Sequence, residues 1–178
     1  IKDRMMKKLM MTTAACLLAT SAFAGAKNWN YAKDGADWGS VSADNKLCDE
    51  GKLQSPFDIK KTFHSELPAL EFNYADAPLD VSKNGHGVTV NIPGGQTLKV
   101  AGQTYQLLQY HFHTPSEYHL NGKSYPMDLH FVHKRKNDGA LGVVGVFIKE
   151  GEENPALAKI WANLPKEDGS NKVKNVMI

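Results

Sequence analysis

Histidine is the residue type whose spacing in this chain points to chemistry. His111-Phe112-His113 sets two imidazoles at i and i+2, and on a strand those rings share a face with Cα atoms about 6.6 to 7 Å apart. Both rings can then reach one metal ion. Asn121-Gly122 is a strong two-residue hairpin signal, and a hairpin closed there places His113 opposite His130 and turns His133 toward Tyr110 on the other side. Directly opposed residues project to one face with Cβ atoms about 5 Å apart, so His111, His113 and His130 are expected to converge as three nitrogen donors. A register slip by an even number of residues, such as Pro115 and its loop could impose, keeps that face assignment. Three histidines with an open fourth position form the ligand set of a catalytic zinc site, whereas structural zinc sites are closed.

The elements that must hold this cluster are mostly strands. Val88–Ile92 and Thr97–Val100 flank Pro93-Gly94-Gly95, which reads as a hairpin. Tyr105–His113 and Met127–His133 alternate in polarity, and Ala140–Ile148 reads as a buried apolar strand containing Gly142 and Gly145. Helix signals are sparse. The clearest is Asn154-Pro155 ahead of Ala156–Trp161, with Asn154 as cap and Pro155 at the first helical position. The class is mainly β, or α+β by some schemes, with short peripheral helices. No linker, repeat or low-complexity tract interrupts residues 27–178, which predicts one domain over 25–178.

The first 24 residues read differently. Lys7-Lys8, an apolar run from Leu9 to Ala19 and Ala22-Phe23-Ala24 have the three parts of a secretory signal cleaved after Ala24. Residues 1–4 precede the candidate initiators Met5 and Met6 and are left out of the fold argument. The apolar run is shorter than the roughly 20 residues needed to span a bilayer, so the expected product is exported, periplasmic or secreted, with no membrane segment after cleavage. The whole chain has 178 residues, 42% apolar, with 21 Lys+Arg against 19 Asp+Glu. Lys2, Arg4, Lys7 and Lys8 fall in the leader against Asp3 alone, so the formal charge of +2 becomes about −1 in the remainder. No basic stripe is left to recruit nucleic acid or an anionic membrane. Cleavage also removes Cys16 and leaves Cys48 as the one thiol in an oxidising compartment. Cys48 is then either a buried free thiol or half of a disulfide whose partner lies beyond Ile178, and an ending in mid-pattern favours the second.

The segment Gln109-Tyr110-His111-Phe112-His113, through Ser116-Glu117, to Met127-Asp128-Leu129-His130-Phe131-Val132-His133 resembles α-class carbonic anhydrase. Gln54-Ser55-Pro56-Phe57-Asp58-Ile59, Asn84-Gly85-His86 and Trp29-Asn30-Tyr31 resemble three further motifs of that family, in the same order. The resemblance runs from about Asn28 to the end of the chain. It implies a single domain on a large twisted, mostly antiparallel sheet. It also implies Zn2+ on His111, His113 and His130, and reversible hydration of CO2 to bicarbonate and a proton by hydroxide attack at the zinc. His86 would be the proton shuttle, Gln109 and Asp128 would support the metal-bound rings, and Val132 and Val143 would line the CO2 pocket. Glu117 corresponds to a carboxylate that orients a threonine hydroxyl, a residue the family carries beyond the point where this sequence stops. The partner of Cys48 in exported bacterial members falls in that same later region. Together these imply a chain truncated at its carboxy terminus, with its activity impaired.

Two departures stand inside the motif. Asp128 replaces the family's Glu and is one methylene shorter, so it is expected to reach His130 only through water or a shifted backbone, weakening the metal site. Tyr118 stands where a His usually contacts that Glu, so the two changes can compensate each other. Two other functions compete. His111-x-His113 with Glu117 also satisfies the first motif of a cupin, although nothing around His130 resembles the second. A carbonic anhydrase-like zinc-binding protein without turnover is the other. Oligomeric state is not legible.

Overall fold

The computed structural model describes residues 29–33 and 35–178. The leader expected over residues 1–24, Cys16 included, lies outside them. The described residues through Gly51 form one compact unit and Lys52–Ile178 a second.

In the first unit the rings of Trp29, Tyr31 and Trp38 meet edge to face, with centroids 5.1 to 5.5 Å apart. The Trp38 indole N–H donates to the Asn30 carbonyl at 2.8 Å. Two 3-10 turns, Trp38–Ser40 and Ala43–Asn45, lead into the short helix α1, Lys46–Glu50. Cys48 lies exposed on α1 and forms no disulfide among the described residues.

The second unit carries β1 (Asp58–Ile59), β2 (Glu71–Asn73), β3 (Pro78–Asn84), β4 (Gly87–Asn91), β5 (Thr97–Val100) and β6 (Gln103–His113). It continues with β7 (His119–Leu120), β8 (Lys123–Ser124), β9 (Met127–Arg135), β10 (Leu141–Ile148), helix α2 (Pro155–Trp161) and β11 (Gly169–Met177). The main sheet has eight strands. Six run in the order β10-β9-β6-β4-β3-β11, β5 pairs with the first part of β6, and β2 pairs with β5. Every pairing within it is antiparallel. A small sheet of order β1-β7-β8 contains the parallel pair β1 and β7. The fold is mainly β, as the sequence predicts.

Two local expectations are corrected. β4 and β5 do not form a hairpin with each other. Both pair with β6, β4 along Gln109–Phe112 and β5 along Gln103–Gln106. Gly94 and Gly95, with φ of 105° and 88°, carry the chain from one partner segment to the next along the same long strand without reversing it. β10 is not buried either, since Leu141 is 66% and Val143 50% exposed. It ends the strand order, with one flank unpaired among the described residues.

The core lies on one side of the main sheet, where Leu79, Val81, Val90, Tyr110, Phe112 and Leu129 pack with Ile160 of α2. The expected cap is present: the Asn154 side-chain oxygen accepts the N–H groups of Ala156 and Leu157 at 3.0 and 3.3 Å, with Pro155 at the helix start. Because side chains alternate along a strand, filling one face with these apolar residues hands the opposite face to His111, His113 and His130.

Candidate metal centre

Four antiparallel strands line up this second face in rows. Thr89 of β4 stands opposite His111 of β6, His111 opposite His130 of β9, and His130 opposite Gly145 of β10. The next row holds His113, Asp128 and Phe147, and the row on the other side holds Asn91, Gln109, Val132 and Val143. The expected pairing of His113 with His130 is therefore displaced by two residues, and His113 faces Asp128. The Asn121-Gly122 turn does close a tight hairpin, but a small one, β7 on β8. The unequal connections between it and the long strands, residues 114–118 and 125–126, move the β6–β9 register. The slip is even, so all three rings stay on one face. Beyond the irregularity at Leu108 the register moves again, and His133 faces Leu107 instead of Tyr110.

The three ring centroids lie 4.7 to 5.4 Å apart. One ring nitrogen from each histidine lies within 4.8 Å of the other two. Two of the rings have a polar side chain beside the outward nitrogen. His111 Nδ1 donates to Gln109 Oε1 at 2.9 Å, since an amide oxygen can only accept. His130 Nε2 lies 3.1 Å from Asp128 Oδ2. These contacts turn His111 Nε2 and His130 Nδ1 inward, beside His113. Supporting the second nitrogen in this way fixes the tautomer and aim of a metal-binding imidazole. Burial, and then the neighbouring His113 and His130, push the His111 imidazole down to about 4. Burial and His130 also lower His113. Neutral rings offer the lone pairs that a metal needs. Three convergent imidazoles, two of them with a polar side chain beside the outer nitrogen, fit Zn2+.

Asp128 is 1% exposed. Its Oδ2 lies 3.1 Å from His130 Nε2, so no bridging water is required. The same oxygen accepts the backbone N–H groups of Glu117 and Tyr118 at 3.0 and 3.3 Å. Burial pushes the Asp128 carboxyl up, but the hydrogen bond and charge of His130 and the Tyr118 N–H outweigh it and hold the group below its ordinary value. Tyr118 thus reaches Asp128 through its backbone. Its phenol goes elsewhere, 2.7 Å from Ser55 Oγ, while its ring stands edge-on to His130 with centroids 5.7 Å apart.

Glu117 turns its carboxylate toward the cluster. Oε2 lies 3.3 Å from His113 Nε2 and 3.8 Å from His130 Nδ1, and the side chain is 16% exposed. The loop that presents it is pinned by Ser116, a buried residue. Ser116 Oγ donates to the Tyr118 carbonyl at 2.7 Å and accepts the Tyr125 N–H at 2.8 Å. Serine in a polar loop gives no sequence signal of such a role.

The structure thus brings together His111, His113, His130, Gln109, Asp128 and Glu117. Val132 and Val143 pair directly in the neighbouring row of the same face. His86 is exposed in the turn between β3 and β4, where its backbone N–H and that of Gly87 donate to the Asn84 side chain. Cys48 belongs to the other compact unit.

A large antiparallel sheet presenting three such imidazoles defines a mainly β protein with a three-histidine cluster that could hold a metal ion. The chain belongs to the α-class carbonic anhydrase family: the profile described as eukaryotic-type carbonic anhydrase matches residues 33–177. A carbonic anhydrase of Neisseria gonorrhoeae is 40% identical over 96% of this chain and 70% of its own length. One of Pectobacterium atrosepticum is 36% identical over 88% of this chain and 64% of its own. Among solved structures, the α-carbonic anhydrase of Thermovibrio ammonificans in complex with the inhibitor sulfanilamide superposes with a TM-score of 0.77. It shares 38% identity across 86% of this chain and 70% of that one.

Proposed function

We propose that this chain carries out reversible hydration of CO2 to bicarbonate and a proton, with Zn2+ held by His111, His113 and His130. The observation that carries this reading is the inward convergence of three ring nitrogens whose outer partners include Gln109 and Asp128. Bound there, Zn2+ supplies Lewis acidity and makes water acidic enough to lose its proton near neutral pH, behaviour for which carbonic anhydrase is itself the standard example. The chain's own residues do the rest. Gln109 and Asp128 hold the rings of His111 and His130 in the tautomers that leave the inward nitrogens free of protons. Val132 and Val143 offer an apolar strip on the same face, suited to an uncharged linear substrate such as CO2. His86, exposed at the end of the β3–β4 turn, takes the released proton and passes it to solvent, a task suited to an imidazole because its ring nitrogens can both accept and donate a proton.

The test is stopped-flow CO2 hydration by zinc-loaded protein, with the His111→Ala variant beside it. Turnover in the native chain that the variant loses supports the reading. Zinc bound at the three histidines without turnover replaces it with a zinc-binding protein that does not hydrate CO2. We further propose export, supported by the Lys7-Lys8, Leu9–Ala19 and Ala22-Phe23-Ala24 pattern. Expression in a Gram-negative host should yield periplasmic protein whose mass starts at Gly25, and an intact cytoplasmic chain would overturn it.

A further inference from the structure

We propose that Tyr118 is a positioning residue for the third histidine of the cluster: its ring, locked in place by Ser55, backs the His130 imidazole and keeps Nδ1 aimed inward. This role rests on the zinc binding proposed above. On its outer side His130 has Asp128 Oδ2 at 3.1 Å from Nε2, and contact at one atom leaves a ring free to pivot about it. Across the β9–β10 pairing stands Gly145, which has no side chain to limit that motion. The Tyr118 ring takes that place. It meets His130 at 76° with centroids 5.7 Å apart, inside the range of favourable edge-to-face pairs. A Cβ added at Gly145 would touch both rings, Tyr118 Cε2 at 3.4 Å and His130 Cδ2 at 3.7 Å, so the phenol ring stands in the space beside the imidazole that the glycine leaves.

A ring can steady another only if it is itself held, and Tyr118 is held at both ends. Its backbone N–H donates to Asp128 Oδ2 at 3.3 Å and its carbonyl accepts from Ser116 Oγ at 2.7 Å. At the far end its hydroxyl lies 2.7 Å from Ser55 Oγ, and its ring meets that of Phe57 at 71° with centroids 5.8 Å apart. Ser55 and Phe57 are set in register with Tyr118 by the parallel pairing of β1 with β7. There the His119 N–H donates to the Phe57 carbonyl at 3.4 Å and the Asn121 N–H to the Ile59 carbonyl at 3.1 Å. The Gly122 N–H adds a bond to Asp58 Oδ1 at 2.9 Å. The Gln54–Ile59 stretch, which no step of the proposed reaction uses, is thus the anchor that holds the ring behind the third ligand.

Zinc release into a chelator, followed by stopped flow on the full chain, tests this, with circular dichroism confirming that each variant is folded. Ser55→Ala and Tyr118→Phe should each release zinc roughly 2 to 10-fold faster, the span that corresponds to one lost hydrogen bond. The double variant should release it no faster than either single one, because both remove the same contact. Ser55→Thr keeps the hydroxyl, and Ser55 is exposed with room for a methyl, so its rate should match the native one. The visible spectrum of the cobalt-substituted proteins separates aim of the ligand from support of the fold. It should shift in Ser55→Ala and Tyr118→Phe and superpose on the native spectrum in Ser55→Thr. Native release rates in Ser55→Ala and Tyr118→Phe, losses that add in the double variant, or an unshifted cobalt spectrum would overturn the role of Tyr118. If His111→Ala still abolishes zinc binding in that event, the three-histidine reading stands and this inference alone falls. Failure of native protein to bind zinc removes both.

Discussion

Asp128 and His130 are in direct contact across 3.1 Å, from a carboxylate oxygen to the ring nitrogen that faces away from the other two histidines. Here the chain holds the aspartate close by also giving its Oδ2 two backbone N–H donors, from Glu117 and Tyr118. One buried oxygen therefore links β9, the loop after β6 and the third imidazole.

Asp128→Asn separates these roles. The amide oxygen can still accept the two N–H groups, but the charge that favours a donating His130 Nε2–H is gone. Zinc should dissociate roughly 10 to 100-fold faster, while the far-ultraviolet circular dichroism stays native. Chelator-driven zinc release followed by stopped flow gives the rate directly. Equal rates in the two proteins would mean that the contact does not support the metal site.

The histidines were legible as a cluster because strand parity survives any even slip of register. The register itself was not. Asn121-Gly122 does specify its own turn, but that turn controls only Leu120 with Lys123 and His119 with Ser124. The connections beyond those pairs are unequal in length, so the long strands settle two residues away. Leu108 was invisible for a related reason: its carbonyl accepts the Ile92 N–H at the point where β4 leaves β6, and no residue type announces that bend. Gly94 and Gly95 announced a turn but not its direction. Whether a glycine pair reverses the chain or redirects it depends on β6 being long enough to serve two partners.

His133 makes stability depend on pH. It is fully buried on the face away from the metal centre, with Nε2 2.5 Å from the Tyr74 hydroxyl. Burial lowers its pKa below 6.5, with hydrogen bonds to the backbone opposing in part. As pH falls through about 6.5 the unfolded chain takes up a proton that the folded chain resists, so the unfolded state binds more protons and folding weakens. Stability is full above that value and declines toward the lower folded pKa. Urea midpoints of chelator-treated protein should therefore fall between pH 7.5 and pH 5. His111 and His113 act with the same sign, so the combined variant Tyr74→Phe, His133→Leu should reduce the slope without abolishing it. A slope identical to the native one would exclude His133 from the effect.

The cap of α2 matters because Ile160, the next-to-last residue of the helix, is part of the core. Asn154→Ala removes the acceptor of two N–H groups and should destabilise the protein by about 1 kcal/mol. Asn154→Asp, which keeps an acceptor oxygen, should stay near native. Thermal or urea unfolding distinguishes them, and equal losses in both variants would point to a contact of the asparagine other than the cap.

Gly145 faces His130 across the β9–β10 pairing, and a Cβ there would lie 3.4 Å from Tyr118 Cε2 and 3.7 Å from His130 Cδ2. Those are ordinary contact distances, so Gly145→Ala should fold and bind zinc as the native chain does. Gly145→Val adds two branch methyls toward rings already in place. Tyr118 cannot yield easily, because its hydroxyl is bonded to Ser55 and its backbone to Asp128. Overpacking of this kind typically destabilises by about 1 to 3 kcal/mol, and the strain falls on the one imidazole that Asp128 supports. Gly145→Val should therefore lose thermal stability and release zinc faster, whereas Gly145→Ala should do neither. A valine variant with native zinc release would show that the Tyr118 ring swings clear and that its edge contact with His130 plays no part in holding the metal site.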